Sequence, residues 1–254
     1  MTIKTGILNG VVTIEIARPE KKNALTADMY GQMAQIFRGA MVNPTVRAVL
    51  ITGQPGMFTS GNDLEDFVRR SDLGMDSPVI LFMKALLTCD KPVVAAVTGA
   101  AIGIGTTMLL HCDLVYISDE ARLAMPFTSL GLVPEFAASL LFPQRVGHAK
   151  AAEKLLLGDP FSAQDAIDMG LANAVLPAGE VLNHARRVAE RFNGLPPGAV
   201  RDTKRLMRRG DAERVAETVE FEARVFSELL SSPEAKEAFS AFFQKRKPDF
   251  SQFS

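Results

Sequence analysis

Two short glycine-containing segments are each suited to direct a backbone N–H group at an oxygen atom. They are residues 57–64 and residues 99–107, and they follow short apolar runs at 48–52 and 92–97. Glycine allows the tight turns and close backbone approaches that such segments need. Two turns of this kind placed side by side can form an oxyanion hole, which stabilises negative charge that develops on a carbonyl oxygen. The pair therefore indicates chemistry through an enolate or a tetrahedral anion.

Glu135 is the candidate acid–base residue, because the surrounding residues 126–139 are mostly apolar or small. Burial of a carboxyl group disfavours its charged form and raises its pKa towards the range in which a general base works at neutral pH. Glu135 also stands just before a predicted helix that begins near Phe136. Capping of that helix is therefore an alternative role, and the two roles are compatible.

Two other interpretations of the glycine turns find less support. The run Gly103-Ile104-Gly105 is followed by Met108 where a dinucleotide-binding loop needs a third glycine. Ser60 lies in a turn that lacks the first glycine of a nucleophile elbow. Close packing of a helix start against a strand is a further explanation for Gly103 and Gly105, and it stays open.

Composition excludes several classes of protein. The chain has 254 residues, of which 47% are hydrophobic and 22% charged, and this fits one large globular domain or a domain with a small appendage. The net charge of −1 provides no overall basic field for nucleic acid or an anionic membrane. No apolar run approaches the roughly 20 residues of a membrane span, and neither a secretory signal nor a peroxisomal C-terminus is visible. We therefore expect a cytoplasmic protein with no nucleic-acid or membrane partner.

The cysteine and histidine residues predict no metal site. Cys89 and Cys112 lie in apolar contexts and are expected to be buried, reduced thiols. His111, His148 and His184 lack the spacing of metal ligands. His111, on an apolar helix, is expected to be a hydrogen-bonded core residue.

Alternating strand and helix patterns predict a layered α/β core. Strand-like runs cover residues 11–17, 48–52, 93–97, 114–118 and 174–176. Helical patterns cover residues 28–41, 79–87, 105–111, 149–157 and 163–169. Ser162 and Asp165 form a predicted capping box for the last of these helices, and Gly170 fits its end. Residues 65–78 show the least pattern and are expected to form a mobile flank of the candidate site.

The pattern changes after Pro177 and becomes helical. Helices are predicted over residues 178–193, 198–209, 211–231 and 233–244, and Pro196-Pro197, Gly210 and Pro233 separate them. The dense charges of this region are expected to form solvated helix faces.

Several segments together resemble the crotonase superfamily, also called the enoyl-CoA hydratase/isomerase family. They occur in the family's order and cover nearly the whole chain: residues 12–25, 57–64, 91–99 with the glycine-rich turn, 112–113, 157–163 and 241–247. The resemblance implies a spiral of repeated β-β-α units followed by a helical region. It implies a core at 1–195 that binds and converts a CoA thioester, and a trimerisation region at 196–254. A homotrimer or a hexamer of two trimers is then expected, and coenzyme A belongs to the substrate, so that no separate cofactor is needed.

The same resemblance assigns the backbone N–H groups of Ser60 and Ile104 to the oxyanion hole. Many hydratases have glycine at the position of Ile104, but any residue except proline supplies a backbone donor. The residues expected to contact the substrate are Lys22, Ala24, Thr59, Gly61, Asn62, Asp63, Leu64, Gly103, Thr107, Phe127, Phe136, Phe242 and Lys245.

Some of these residues keep a second explanation. Lys22 is expected near a phosphate or the adenine ring. Phe242 and Lys245 resemble residues that reach the coenzyme A of a neighbouring subunit, but an ordinary charged C-terminal helix also accounts for them. Asp63 either orients the 57–64 loop or caps a helix.

The positions at which the family has catalytic glutamates distinguish the possible reactions. Hydratases of this family use two glutamates to hold and activate water, and the corresponding positions here are Thr107 and Phe127. Neither side chain can take up a proton at neutral pH. Glu135 corresponds to the lone catalytic glutamate of peroxisomal-type 3-enoyl-CoA isomerases. We therefore expect an isomerase that moves a 3-enoyl-CoA double bond to the trans-2 position through a dienolate; the alternatives are an enoyl-CoA hydratase, another crotonase-type reaction, and a non-catalytic acyl-CoA-binding protein.

Overall fold

A computed structural model describes residues 2–69 and 74–253, and strands alternate with helices along the first two thirds of the chain. The strands are β1 (Ile3–Leu8), β2 (Val11–Ile16), β3 (Ala48–Thr52), β4 (Met57–Thr59), β5 (Val93–Val97), β6 (Ala100–Ile102), β7 (Leu114–Ser118), β8 (Arg122–Ala124), β9 (Phe161–Ser162) and β10 (Ala174–Leu176). The helices are α1 (Ala27–Val42), α2 (Leu64–Arg69), α3 (Pro78–Thr88), α4 (Ile104–Thr107), α5 (Ala138–Val146), α6 (His148–Ala152), α7 (Ala163–Asp168), α8 (Ala178–Glu190), α9 (Pro197–Arg208), α10 (Ala212–Leu230) and α11 (Pro233–Phe243).

The strands form two sheets, and from β3 to β8 consecutive strands alternate between them. The larger sheet has the order β1-β2-β3-β5-β7-β10, and the smaller sheet has the order β4-β6-β8-β9. In the larger sheet only β1 and β2 pair antiparallel, whereas in the smaller sheet β8 and β9 do so. The pairs β3–β4, β5–β6 and β7–β8 each place their first strand in the larger sheet and their second in the smaller one. The predicted α/β spiral of β-β-α units is therefore confirmed.

Alternate residues of each central strand belong to two different cores. Ala48 and Leu50 of β3 pack with apolar residues of α8, whereas Val49 and Ile51 belong to the larger cluster that includes residues of α1 and α3. Side chains of a strand point alternately to the two faces of a sheet. Because helices cover both faces, β3 and β5 are buried along their whole length and appear in the sequence as continuous apolar runs.

The apolar runs of β3, β5 and β7 were predicted correctly, as was the three-residue β10, whereas β1 and the short strands β4, β6, β8 and β9 were missed. The predicted limits of β3, β5, β7 and β10 agree with the structure. Strand β1 exposes five of its six residues, so it has no apolar pattern. Its signal is the hairpin turn at Asn9-Gly10, where both residues have positive φ (46° and 70°). Strands β4, β6 and β8 have three residues each, too few for a periodicity to be visible.

Several helices differ from their predicted limits. The predicted helix at 149–157 consists of α6 followed by a π-helical turn, Glu153–Leu157, and the predicted helix at 105–111 consists of α4 followed by a 3-10 turn, Met108–His111. The capping box at Ser162 and Asp165 is confirmed. Residues 65–69 of the segment without pattern belong to α2, whereas residues 70–73 lie outside the described residues.

The helices of the C-terminal region pack onto the core of the same chain. From α10, Val215, Val219, Ala223 and Phe226 belong to the larger apolar cluster. Cys89 and Cys112 are buried and free, as expected. None of the helices in the described ranges is both long and apolar enough to cross a membrane.

A buried ion cluster centred on Asp113 joins α9 to the starts of β5 and β7. One carboxylate oxygen of Asp113 accepts hydrogen bonds from Lys204 Nζ at 2.6 Å and from the Val93 N–H at 2.7 Å. The other accepts from Arg208 at 3.0 Å. The side chain of Lys204 is 7% exposed. The carboxylate therefore neutralises a lysine that has little contact with water.

We predict that Asp113→Ala destabilises the protein by about 3 kcal/mol, the low end for breaking a buried ion pair. The variant leaves the Lys204 charge buried and the Val93 N–H without an acceptor. The free energy of unfolding is to be measured by urea denaturation. Asp202→Ala is the matched control, because Asp202 pairs with Arg205 on the same helix but both side chains are mostly exposed. We expect the control to change stability by no more than about 0.5 kcal/mol, and equal effects of the two variants would contradict a structural role for the cluster.

Candidate active site

A cleft of about 710 Å³ lies where the two glycine turns meet. Its walls contain eleven of the predicted site residues: Lys22, Ala24, Ser60, Gly61, Asn62, Asp63, Leu64, Gly103, Ile104, Phe127 and Phe242. The cleft wall is mostly apolar, with polar groups at the two turns, as is usual for small-molecule sites. The structure thus brings together residues that are more than 200 positions apart in the sequence.

The first turn follows β4, and hydrogen bonds from buried polar side chains hold it in place. The Asn23 side-chain amide donates to the carbonyls of Met57 and Phe58, at 3.0 and 3.2 Å. Thr59 Oγ1 donates to the Asn23 carbonyl at 2.7 Å and accepts from the Gly61 N–H at 3.1 Å. Thr59 is therefore a buried support of the turn, and it does not line the cleft as predicted for a substrate contact.

The predicted donor at Ser60 is wrong for this conformation, because the Ser60 N–H already donates to the Lys22 carbonyl at 3.1 Å. The Gly61 N–H is bonded to Thr59, and the Asp63 N–H donates to the Leu25 carbonyl at 2.9 Å. Among the hydrogen bonds of the described residues, none uses the N–H of Asn62. Asn62 thus carries a backbone donor without an acceptor among the described residues, and it lines the cleft.

The second turn presents the Ile104 N–H at the start of α4. Gly103 has a positive φ of 56°, and its carbonyl accepts from the N–H groups of Thr106 and Thr107. The N–H groups of a first helical turn have no acceptor within the helix, and in the described part of the chain none is found for Ile104. The predicted donor at Ile104 is therefore geometrically available.

The two turns approach each other so closely that glycine is required at both. A Cβ atom on Gly61 would lie 2.9 Å from the Ile102 carbonyl oxygen, and one on Gly105 would lie 2.6 Å from Thr59 Cγ2. Tight packing, the alternative explanation for Gly105, therefore applies. The same close packing brings the backbone N–H groups of Asn62 and Ile104 to one side of the cleft.

Asp63 has both of the structural roles that the sequence left open. Its carboxylate accepts from Arg18 Nη1 at 2.6 Å and from the Asp66 N–H at 3.1 Å, so it caps α2 and anchors the loop. Burial alone would raise the pKa of Asp63, but the bonds from Arg18 and the backbone lower it overall. Arg18 also donates to the Ala24 carbonyl at 3.0 Å and thereby joins the 18–25 segment to the turn.

Glu135 is a buried carboxyl group on a left-handed turn. It is 7% exposed, and its Oε1 is buried without a hydrogen-bond partner in the described structure. Burial, and to a lesser extent the nearby Glu222 carboxylate, raise its pKa from 4.5 to about 8, against the opposing effect of a hydrogen bond from the Asn62 side chain. The following residues Phe136 and Ala137 both have positive φ, 63° and 56°. Such strain in residues with side chains is characteristic of functional sites.

The helix-cap interpretation of Glu135 is wrong. Helix α5 begins at Ala138, and Glu135 contributes only its backbone carbonyl, which accepts from the Ala138 N–H at 3.2 Å. The side chain that caps α5 is Glu222 of α10, which accepts from the N–H groups of Ala137 and Ser139. Glu222 was not predicted, because in sequence it is one of many glutamates on an amphipathic helix.

Asn62 links the two parts of the site. Its side-chain oxygen accepts a hydrogen bond from the Tyr30 hydroxyl, a group of α1 that is 3% exposed. An amide whose oxygen is occupied in this way directs its NH₂ group elsewhere, and here that group bonds to Glu135. The residue whose backbone N–H faces the cleft therefore also contacts the candidate base. Tyr30 was missed because an apolar-flanked tyrosine on a helix predicts only core packing.

Glu135 lies in a small cavity beside the cleft. This cavity has a volume of about 10 Å³ and is lined by Glu135 and Phe136 together with apolar side chains of α2, α3 and α10. Phe67 and Phe226 line both the cavity and the cleft. Their ring centroids are 5.7 Å apart in an edge-to-face contact, so this aromatic pair stands between the two spaces.

Three further predicted contacts do not line the cleft. Phe136 is 1% exposed and stacks on His111 at 3.9 Å between ring centroids. Thr107 is fully buried, and its hydroxyl has no partner in the described structure. Lys245 follows α11 with a positive φ of 53°, outside the residues that form the cleft walls. His111 is the buried, hydrogen-bonded core residue that the sequence predicted, with its ring nitrogen 2.7 Å from the Phe136 carbonyl.

Comparison with known proteins gives the same family throughout. The family model for enoyl-CoA hydratase/isomerase matches residues 6–253. The chain is 35% identical over 244 residues to rat enoyl-CoA delta isomerase 2, covering 93% of this chain but only 62% of that protein. It is 29% identical to a probable enoyl-CoA hydratase of Mycobacterium leprae, covering 95% and 93% of the two chains. The structure of Pseudomonas aeruginosa OdaA matches with a TM-score of 0.93, 51% identity and coverage of 95% and 98%.

We predict that Gly61→Ala destabilises the protein more than Gly56→Ala. Both glycines have positive φ, 91° and 77°, so both variants carry the strain of an L-residue there. Only at Gly61 does the added methyl group meet backbone atoms, because nothing lies within 4 Å of a Cβ on Gly56. We expect the melting temperature of Gly61→Ala to be several degrees lower than that of Gly56→Ala, since about 1–3 kcal/mol of overpacking is added. Equal melting temperatures for the two variants would contradict this prediction. They would show that the turns at 57–64 and 99–107 can move apart to accommodate the methyl group.

Proposed function

The chain belongs to the enoyl-CoA hydratase/isomerase family, and we propose that it is an acyl-CoA isomerase that moves a 3-enoyl double bond to the trans-2 position. Glu135 is the base in this proposal, and the N–H groups of Asn62 and Ile104 form the oxyanion hole. Relatives named enoyl-CoA delta isomerase, from rat and human, support the reaction type. Since the chain spans 62% of the length of each of these two proteins, the proposal concerns only the part that they share.

One observation carries the proposal: the buried carboxyl group of Glu135, whose Oε1 has no partner in the described structure, is bonded to the side chain of Asn62, and the backbone N–H groups of Asn62 and Ile104 at the cleft have no acceptor there. A pKa of about 8 makes Glu135 a suitable proton acceptor near neutral pH. A double-bond shift needs one proton removed and one returned, and a single carboxyl group can do both. Hydration would need groups that hold and deprotonate water, and the family positions for these groups are Thr107 and Phe127.

The reaction begins with removal of a C2 proton by the Glu135 carboxylate. This proton is acidic because both the thioester carbonyl and the 3,4 double bond stabilise the resulting dienolate. The negative charge then resides largely on the thioester oxygen, where each backbone donor contributes about 3–4 kcal/mol. The protonated Glu135 returns the same proton to C4, the double bond forms between C2 and C3, and the carboxylate is regenerated. No net proton is gained or lost.

Hydration is the second candidate function, because several relatives are named hydratases, among them 2,3-dehydroadipyl-CoA hydratase of Escherichia coli. The buried Thr107 hydroxyl without a partner is the feature of this chain that favours it, since such a group can bind a water molecule. A hydroxyl group can orient water but cannot deprotonate it at neutral pH. Glu135 would then have to act as the only base.

The remaining predictions concern the coenzyme A portion and the assembly. Lys22 and Ala24 line the cleft, and we propose that they hold the coenzyme A moiety, whereas Phe242 and Lys245 reach the coenzyme A of a neighbouring subunit. Large apolar side chains of the C-terminal region are exposed, including Met207 at 78% and Phe242 at 58%. A homotrimer or hexamer would cover such groups. The cytoplasmic location expected from the sequence stays a prediction.

We predict that Glu135→Gln lowers isomerase turnover at least about a hundredfold, the lower end of general-base effects. Its affinity for acyl-CoA should be nearly unchanged, because the amide preserves the shape of the side chain. Turnover is to be measured on a panel of 3-enoyl-CoA and 2-enoyl-CoA substrates, and affinity by calorimetry. Glu120→Gln, an exposed change between β7 and β8, is the control and should match the wild type.

Each alternative has its own outcome on this panel. Wild-type hydration of a 2-enoyl-CoA as fast as isomerisation would favour the hydratase. Tight acyl-CoA binding without turnover would favour a binding protein. Near-wild-type isomerisation by Glu135→Gln would exclude Glu135 as the base.

We also predict a pH profile with one acid limb. The carboxylate is the active form, so kcat/KM should rise with pH, reach half its maximum near pH 8 and then level off.

The contribution of Glu135 to the stability of the fold should fall as the pH rises. Because the folded-state pKa lies above the ordinary 4.5, the protonated group stabilises the fold fully below pH 4.5, and this contribution is lost as the pH rises through about 8. The melting temperature of Glu135→Gln relative to wild type should therefore increase across this interval, and a constant difference would contradict the raised pKa.

A further inference from the structure

Glu222 is a second buried carboxylate, and all of its hydrogen bonds in the described structure go to the segment that follows Glu135. It lies on α10 and is 5% exposed. Oε2 accepts from the Ala137 N–H at 2.6 Å, and Oε1 accepts from the Ser139 N–H at 2.9 Å and from Ser139 Oγ at 2.5 Å. Charge-assisted bonds of this length are among the strong ones. One side chain of the C-terminal region therefore holds the turn that carries the candidate base.

This turn needs external support. Phe136 and Ala137 both adopt left-handed conformations, with φ of 63° and 56°, and two consecutive residues with side chains rarely do so. The Phe136 carbonyl can only accept, so the His111 Nε2 at 2.7 Å must carry the hydrogen. The turn is thus held on one side by His111 and on the other by Glu222. Without the latter, the buried Ala137 N–H and the Ser139 N–H would lose their acceptors.

We propose, on the basis of the function proposed above for Glu135, that Glu222 is a positioning residue for the base. It fixes the left-handed turn that aims Glu135 at the substrate, and its negative charge makes the Glu135 carboxylate a stronger base. Glu222 touches neither the cleft nor the reacting atoms and acts only through Glu135.

The charged state of Glu222 follows from its surroundings. Burial raises its pKa to about 7, and the bonds from Ser139 and Ala137 oppose that rise. Three hydrogen bonds from the turn favour the charged form of the Glu222 carboxylate, whereas Oε1 of Glu135 has no partner in the described structure. Glu222 is therefore the more readily ionised of the two, and its negative charge disfavours charge on Glu135 and raises the pKa of that group.

The other groups that face Glu135 bring no competing charge. Tyr30, from α1, stays neutral because burial and Glu135 itself raise its pKa. The residues of α2 and α3 that line its cavity are apolar, and the Asn62 amide is uncharged. His111, behind Phe136, stays neutral because burial lowers its pKa to about 3.

The decisive variant is Glu222→Gln, which keeps the size of the side chain and removes its charge. The oxygen of the new amide can accept a hydrogen bond from the N–H of either Ala137 or Ser139. The NH₂ group then faces the other N–H, from which it cannot accept. We expect the acid limb of kcat/KM and the titration midpoint of Glu135 to move down by about one pH unit, the scale of an ordinary charge effect on a pKa. We expect kcat above this limb to fall on the order of tenfold or more, with KM nearly unchanged, because a misdirected base reacts less well with a bound substrate. The Glu135 midpoint is to be read from the ¹³C NMR signal of the labelled carboxyl group and assigned with Glu135→Gln.

Two control variants distinguish the effect of the Glu222 charge from a general loss of folding stability. Ser139→Ala removes one donor to Glu222 and leaves its charge, so it should lower the melting temperature but keep the Glu135 midpoint close to wild type. Glu220→Gln changes an exposed glutamate on the same helix and should change nothing. If Glu222→Gln does not fold, Glu222→Asp retains the charge but withdraws it from the turn, and it should lower kcat without changing KM.

A fall in melting temperature for Glu222→Gln with an unchanged midpoint and unchanged kcat would overturn the proposal, because Glu222 would then be only a helix cap. An unchanged kcat in Glu222→Asp would do the same. The NMR midpoint does not depend on turnover. A midpoint that moves in a protein without isomerase activity would therefore support the electrostatic role of Glu222 while refuting the function proposed for Glu135.

Discussion

The close approach of two backbone turns is the constraint on which the site depends. The N–H groups of Asn62 and Ile104 can face one cleft only if the chain after β4 and the chain after β6 come within van der Waals distance. Gly61 and Gly105 permit this, since a Cβ on either would lie less than 3 Å from the opposite segment. The two-sheet spiral supplies the approach, because β4 and β6 are parallel neighbours in the smaller sheet and both turns therefore leave it at the same end. Asn23, Thr59 and the Arg18–Asp63 pair then fix the first turn.

Around these donors, the protein positions one carboxyl group by contacts from distant parts of the chain. Helix α1 supplies Tyr30, which orients the Asn62 side chain towards Glu135. Helix α10 supplies Glu222, which binds the N–H groups of the turn after Glu135. The candidate base is thus buried, directly before a strained turn and close to a like charge, and all three conditions arise from packing. The helical C-terminal region therefore completes the surroundings of the candidate base in its own chain.

The sequence was informative where a local pattern is enough to fix a structure. Continuous apolar runs gave the limits of β3, β5, β7 and β10, and the motif residues gave most of the cleft wall. Three-residue strands such as β6 carry too little pattern, and the hairpin of β1 was signalled only by Asn9-Gly10. The error at Ser60 has a different cause. Which N–H of a turn stays free depends on its acceptors, and the Lys22 carbonyl that occupies this one comes from another segment.

By itself, then, the sequence determined the α/β class, the family resemblance, the two glycine turns and the single apolar-flanked glutamate. These follow from residue type and short-range spacing, which the chain carries locally. Only the tertiary structure decided that Asn62 and not Ser60 has the free donor, that Glu135 does not cap α5, and that Tyr30 and Glu222 belong to the surroundings of the base. Each of these facts depends on burial or on a hydrogen bond between residues 30 to 90 positions apart. Such pairings are created by packing, and no local pattern encodes them.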